Sequence, residues 1–158
     1  AMIDYGTNLT FGLGCRINYE EAIKYFQKAA NLKNATALFN LGTMYYRGRG
    51  TKIDKMKASQ YYQLSADLGN KNAMYEYARM LYSGDGIAKD FRKSADYFKM
   101  AAFQMDTGSM MYLGIMYADG SIQFNPDKSK YWLKKCGELN KNYVFCNNVD
   151  TMFIKTNG

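Results

Sequence analysis

Residues 38–69 read LFNLGTMYYRGRGTKIDKMKASQYYQLSADLG, and the reading of this stretch decides the fold. Leu38, Leu41, Gly42 and Tyr45 fall at i, i+3, i+4 and i+7, the spacing of one buried helical face. Gly48 then stands where the helix must end, because glycine takes a positive φ at no steric cost. After a short loop, Asp54 offers a side-chain acceptor to an orphan backbone N–H and opens a second helix. That helix carries Ala58, Tyr61, Tyr62, Ser65 and Ala66 at helical spacing. The stretch is one helix–turn–helix unit.

The unit recurs along the chain. Tyr25-Phe26, Tyr61-Tyr62 and Tyr97-Phe98 stand 36 residues apart, as do Gly6, Gly42, Ala78 and Gly114. Leu9, Tyr45, Leu81 and Tyr117 keep the same period, and so do Gly12, Gly48, Gly84 and Gly120. Gly14, Gly50 and Gly86 follow two residues later. Asn18, Asp90 and Asn125 stand in the Asp54 position as N-caps, Pro126 suits a first helical residue, and Asn18 with Glu21 has capping-box spacing. The small residues at 6, 42, 78 and 114 are expected where the two helices of a pair approach closely.

The copies therefore run over about 1–36, 37–72, 73–108 and 109–143. The fourth is one residue short before its second helix, since Trp132-Leu133 stands 71 rather than 72 after Tyr61-Tyr62. Cys146, Val149 and Phe153 continue the first-helix pattern, which predicts a closing helix over about 143–154 that covers the last copy. The expected class is all-α, a single domain of four 36-residue repeats plus this closing helix.

These residues resemble the Sel-one-like repeat family, a relative of the tetratricopeptide repeat. The pattern stands as Leu41-Gly42, Tyr45, Gly48-Arg49-Gly50, Asp54, Lys57-Ala58, Tyr61-Tyr62, Ala66 and Gly69. It returns as Tyr77-Ala78, Gly84-Asp85-Gly86, Asp90, Lys93-Ser94, Tyr97-Phe98 and Ala101-Ala102. Ile122 replaces the second loop glycine in the fourth copy, and Asp150 the helical glycine in the closing helix. The resemblance implies a right-handed α-solenoid that acts as an adaptor: an assembly platform in endoplasmic-reticulum quality control or, in bacteria, an exported or signalling protein that binds partners.

If first helices line the concave side as in related solenoids, the inward positions follow from the Leu41–Gly42 centre. They are Phe39, Thr43, Tyr46 and Arg47, then Tyr75, Arg79, Tyr82 and Ser83, then Met111, Ile115, Ala118 and Asp119. An aromatic and aliphatic groove flanked by arginines has the composition of a protein-recognition surface. The competing reading packs Phe39, Tyr75 and Met111 against the next copy, because core and groove positions lie one residue apart.

Chemistry is bounded mainly by absence. The 158 residues contain no histidine, which removes the commonest general base and metal ligand. Cys15, Cys136 and Cys146 show no metal spacing, so no metal and no cofactor are expected. A hydrolase using Cys15 would lack a histidine to raise a thiolate. A cysteine-rich bacterial subgroup of the resembled family places a disulfide between a second helix and the next first helix. Cys136 and Cys146 lie on those two helices, with Cys136 one position early, about 100° around its helix. They are either such a pair or reduced packing residues.

The net charge of +7 admits an acidic partner or nucleic acid. The lysines are spread, however, and only Arg47 and Arg79 fall on concave positions, so nucleic acid is disfavoured. No apolar run is long enough to span a membrane, and no secretory signal opens the chain, although an exported or surface setting is favoured over the cytoplasm. The expected role is a non-catalytic scaffold for another protein, with a dedicated inhibitor or immunity-type binder as the alternative and self-association left open.

Overall fold

The computed structural model describes residues 1–147, and among them there are nine α-helices and no strand. They are α1 (Met2–Phe11), α2 (Tyr19–Asn31), α3 (Ala35–Arg47), α4 (Lys55–Asp67), α5 (Lys71–Ser83), α6 (Phe91–Phe103), α7 (Thr107–Asp119), α8 (Pro126–Leu139) and α9 (Val144–Asn147). The chain divides into two compact units, Ala1–Lys89 and the part from Asp90 onward. Within the first unit each of α1 to α5 packs on its neighbour in sequence, and within the second α6 to α9 do the same. Val149 and Phe153, expected in the closing helix, lie outside the described residues.

Each second helix starts where an asparagine or aspartate caps it. Asn18, Asp54, Asp90 and Asn125 accept from the backbone N–H three residues on, at 2.8–3.1 Å. The backbone N–H groups of Asn18, Asp54 and Asn125 also donate to the carbonyls of Leu9, Tyr45 and Tyr117, each at 2.9 Å. Those carbonyls belong to one column of the repeat, so the same bond ties loop to first helix each time. At Asn18 the side chain both accepts from the Glu21 N–H and donates its amide to the Glu21 carboxylate. First helices are capped in the same manner by Asn34, Asn70 and Asp106, a 36-residue series that the sequence reading does not use.

The core consists of these columns. In α3, Leu38, Leu41 and Met44 are buried, each burial stabilising by about 1.5–3 kcal/mol. The small column does what its size suggests. A Cβ on Gly42 would stand 2.7 Å from the Tyr62 ring, and one on Gly6 would stand 2.8 Å from Phe26. On Gly114 it would collide with Leu133, which confirms that Leu133 fills the aromatic column after the one-residue deletion.

The second glycine of the loop has a further task. A Cβ on Gly50 would lie 2.7 Å from the Tyr19 backbone, and one on Gly86 would run into the Lys55 side chain. Tyr19 and Lys55 are both the first residue of a second helix, in α2 and α4. The loop of one copy thus rests on the start of the preceding copy's second helix. The residue between the glycines completes the contact: Arg49 lies over the Tyr19 ring at 5.8 Å, and Asp85 pairs with Lys55.

Cys136 on α8 and Cys146 on α9 are joined by a disulfide, both buried, with Cα atoms 5.8 Å apart. The expected offset of Cys136 around its helix does not separate them, because α9 packs against α8. Gly137 permits that approach, since a Cβ there would strike the Asn147 side chain.

Two predictions follow from the backbone. Lys33, Gly69 and Met105 form another column at the ends of second helices, with φ of 56°, 91° and 62°. A side chain in this left-handed region costs about 1–2 kcal/mol, against about 0.5–1 kcal/mol of extra chain entropy for glycine. Lys33→Gly and Met105→Gly should each therefore raise stability by about 0.5–1 kcal/mol in urea unfolding, and Gly69→Ala should lower it by a similar amount. For the disulfide, the unreduced chain should weigh two hydrogens less than the reduced one. Its short loop is worth about 2–3 kcal/mol, so reduction should speed amide exchange in α9 by at least roughly tenfold and leave α3 unchanged.

Candidate functional site

The first unit contains a cavity of about 430 Å³. Its walls come from three successive first helices: Thr7, Thr10 and Phe11 of α1; Phe39, Asn40 and Thr43 of α3; Glu76 and Arg79 of α5. Met44 lines it from α3, and Phe26 of α2 and Tyr62 of α4 reach it from behind, over Gly6 and Gly42. Tyr46, Arg47 and Arg49 complete the lining.

Of the residues expected in a groove, the structure brings Phe39, Thr43, Tyr46, Arg47 and Arg79 together here. Tyr75 and Tyr82 are half-buried on α5 and do not line this cavity, and Ser83 is exposed at the helix end. Met111, Ile115 and Ala118 are half-buried, and Asp119 is exposed, on α7 of the second unit. Phe39 satisfies both of its competing readings. Its ring packs on Tyr62 with centroids 5.6 Å apart, and it also faces the cavity.

Tyr46 is a braced wall rather than a loose aromatic. Its hydroxyl donates to Asp85 Oδ2 at 2.6 Å and accepts from Arg79 Nη2 at 3.1 Å. Lys55 Nζ donates to the other Asp85 oxygen, and Lys55 and Arg79 both lie over the Tyr46 ring, at 5.6 and 5.5 Å. Arg79 is in turn paired with Glu76 at 2.9 Å. The bond from Lys55, then that from Tyr46, holds the Asp85 carboxyl below the usual carboxylate range. Asp85 and Lys55 were not read as site residues, because position 85 carries Leu13, Arg49 and Ser121 in the other copies and shows no period.

The floor is neutral and the rim positive. Burial pushes the Tyr62 phenol up to about 12, so it stays protonated and donates to Thr43 Oγ1 at 3.2 Å. Arg47 is exposed and Arg49 half-buried, and neither makes an ion pair with a described residue. Glu76 is the carboxylate in the lining, and Arg79 neutralises it. Arg49, in the loop between two glycines, escaped the sequence reading because only helical positions were projected inward. Cys15 is an exposed free thiol and does not line the cavity. Among the described residues no group of histidine, cysteine, aspartate or glutamate is placed to hold a metal ion, and no helix is long and apolar enough to cross a membrane.

A profile of the Sel1 repeat matches residues 1–34, 35–70, 71–102 and 107–140. The chain belongs to the Sel1 repeat family. Its all-helical solenoid class is shared with solved relatives. One is c5321, described as a protective antigen present in uropathogenic Escherichia coli strains that displays an SLR fold. It is 28% identical over 87% of this chain and 30% of its own, with a TM-score of 0.84. Another is a Sel1 repeat protein from Oxalobacter formigenes, 25% identical over 87% of this chain and 55% of its own, with a TM-score of 0.83. This chain thus spans about a third and about half of the lengths of those relatives. Among curated proteins there is no significant match. Sel1 repeat proteins are generally scaffolds for protein interaction.

The Asp85 bonds make a pH-dependent prediction. A carboxyl whose native pKa is lowered adds stability above its unfolded value, near about 4, and loses it as pH falls through the native value. Asp85→Asn should therefore cost about 1–2 kcal/mol at neutral pH. In urea titrations that cost should shrink steadily below about pH 4, as the wild-type carboxyl is protonated too.

Proposed function

We propose that this chain is a non-catalytic scaffold that holds a segment of a partner protein in the cavity of its first unit. The observation that carries this reading is the composition of that cavity. Three consecutive first helices wall it, and five aromatic residues (Phe11, Phe26, Phe39, Tyr46 and Tyr62) and three arginines line it. Buried aromatics beside arginine are the residue types that dominate protein recognition. Nothing in the lining favours catalysis: the sequence has no histidine, and Glu76 is engaged by Arg79. The Cys136–Cys146 disulfide supports an oxidising, exported setting, where such bonds persist.

Site-specific photocrosslinking tests the reading. A photoreactive side chain at Arg47 should capture a discrete partner, whereas one at Lys24, exposed on α2, should not. Asn40→Trp, which puts bulk into the cavity, should reduce the Arg47 adduct by roughly tenfold while leaving the thermal unfolding of the chain near wild type. Equal capture from both positions, or no effect of Asn40→Trp, would sink the proposal.

A further inference from the structure

We infer that the segment held in this cavity is acidic, presenting a carboxylate to Arg47 and Arg49 and an apolar side chain to the floor below them. The inference rests on the cavity reading above and adds the chemistry of the occupant.

Three arginines and one glutamate line the cavity, and the glutamate is already neutralised by Arg79. Tyr62 stays protonated, so no other negative charge enters from the floor. Arg79 is already engaged by Glu76 and Tyr46. Arg47, exposed, and Arg49, half-buried and lying over the Tyr19 ring, both line the partly apolar cavity with no ion-pair partner among the described residues. A guanidinium presents a planar fork of donors that matches a carboxylate, and the bond strengthens where apolar walls exclude water. A basic segment would bring like charge to this rim and is disfavoured by the same geometry.

The apolar half comes from the floor. Phe11 and Phe39 offer hydrocarbon surface to whatever enters, backed by the buried Phe26 and Met44, and Thr10 and Thr43 are occupied within the chain. Thr10 Oγ1 donates to the Gly6 carbonyl at 2.8 Å, and Thr43 Oγ1 donates to that of Phe39 at 3.1 Å. The structure favours a peptide over nucleic acid for two reasons. The space holds a side chain or two, not a run of phosphates, and two arginines without an ion pair make no track for a backbone.

Panning a random peptide library on the immobilised full chain tests the inference without knowledge of the natural partner. The wild type should enrich peptides with an aspartate or glutamate beside an apolar residue. An enriched peptide, labelled and measured by fluorescence anisotropy, should bind roughly tenfold more weakly to Arg47→Gln/Arg49→Gln, with the loss largest at low salt. Because Arg49 also lies over Tyr19, Arg47→Gln alone, at an exposed residue without that contact, should weaken binding in the same direction with unchanged thermal unfolding. Its analogue with glutamine for the acidic residues should bind the wild type and the variant equally. Enrichment of apolar peptides with no acidic preference, weakened by Asn40→Trp, would overturn the acidic inference and leave the cavity reading standing. Enriched peptides insensitive to Asn40→Trp would overturn both. Failure to enrich any peptide, or binding of a labelled oligouridylate in its place, would overturn the inference, while the crosslinking result would still decide the cavity.

Discussion

The structure depends on atoms that are missing. At positions 6, 42 and 114 the first helix of a pair carries no Cβ, and an aromatic ring or leucine of the second helix occupies the space. The distance between the two helices is set by that contact. Every other column is placed by it: the buried leucines and methionines of first helices, the loop that returns the chain, and the cap that opens the second helix. A methyl group there would push a ring into neighbours packed as densely as an organic crystal. Ala78 shows that the column can carry a methyl in the third copy.

The same contact makes the candidate site. Phe26 and Tyr62 belong to second helices, which would ordinarily be screened from the surface that first helices form. Because glycine stands in front of each, their rings pack close behind the first helices and back the cavity while staying buried. Packing and the cavity lining therefore share residues. The consequence is visible at Phe39, where one ring meets Tyr62 on one side and the open space on the other.

What the sequence discloses follows from what repeats. Glycines, N-caps and paired aromatics recur every 36 residues, and periodic features are readable without any structure. The caps Asn34, Asn70 and Asp106 keep the same period and are legible by the same rule. The site was half legible. Projection of helical positions identified Phe39, Thr43, Tyr46, Arg47 and Arg79, but could not tell that Tyr75 and Tyr82 lie apart from the cavity. Asp85, Lys55 and Arg49 were out of reach for a different reason. They act through contacts between copies, at positions where each copy carries a different residue, and such contacts leave no periodic trace.

That lack of repetition has its own effect on assembly. The first junction sets Arg49 over an aromatic ring, and the second sets an aspartate on a lysine. Near-identical modules can stack out of order, pairing a loop with the wrong helix start. Here a skipped or exchanged copy would put Arg49 beside Lys55, two like charges, and would strip Asp85 of its cation by placing it on Tyr19. The junctions work as unlike keys. Each of these two loops matches one helix start and not the other, so the charges at both junctions favour one order of these copies.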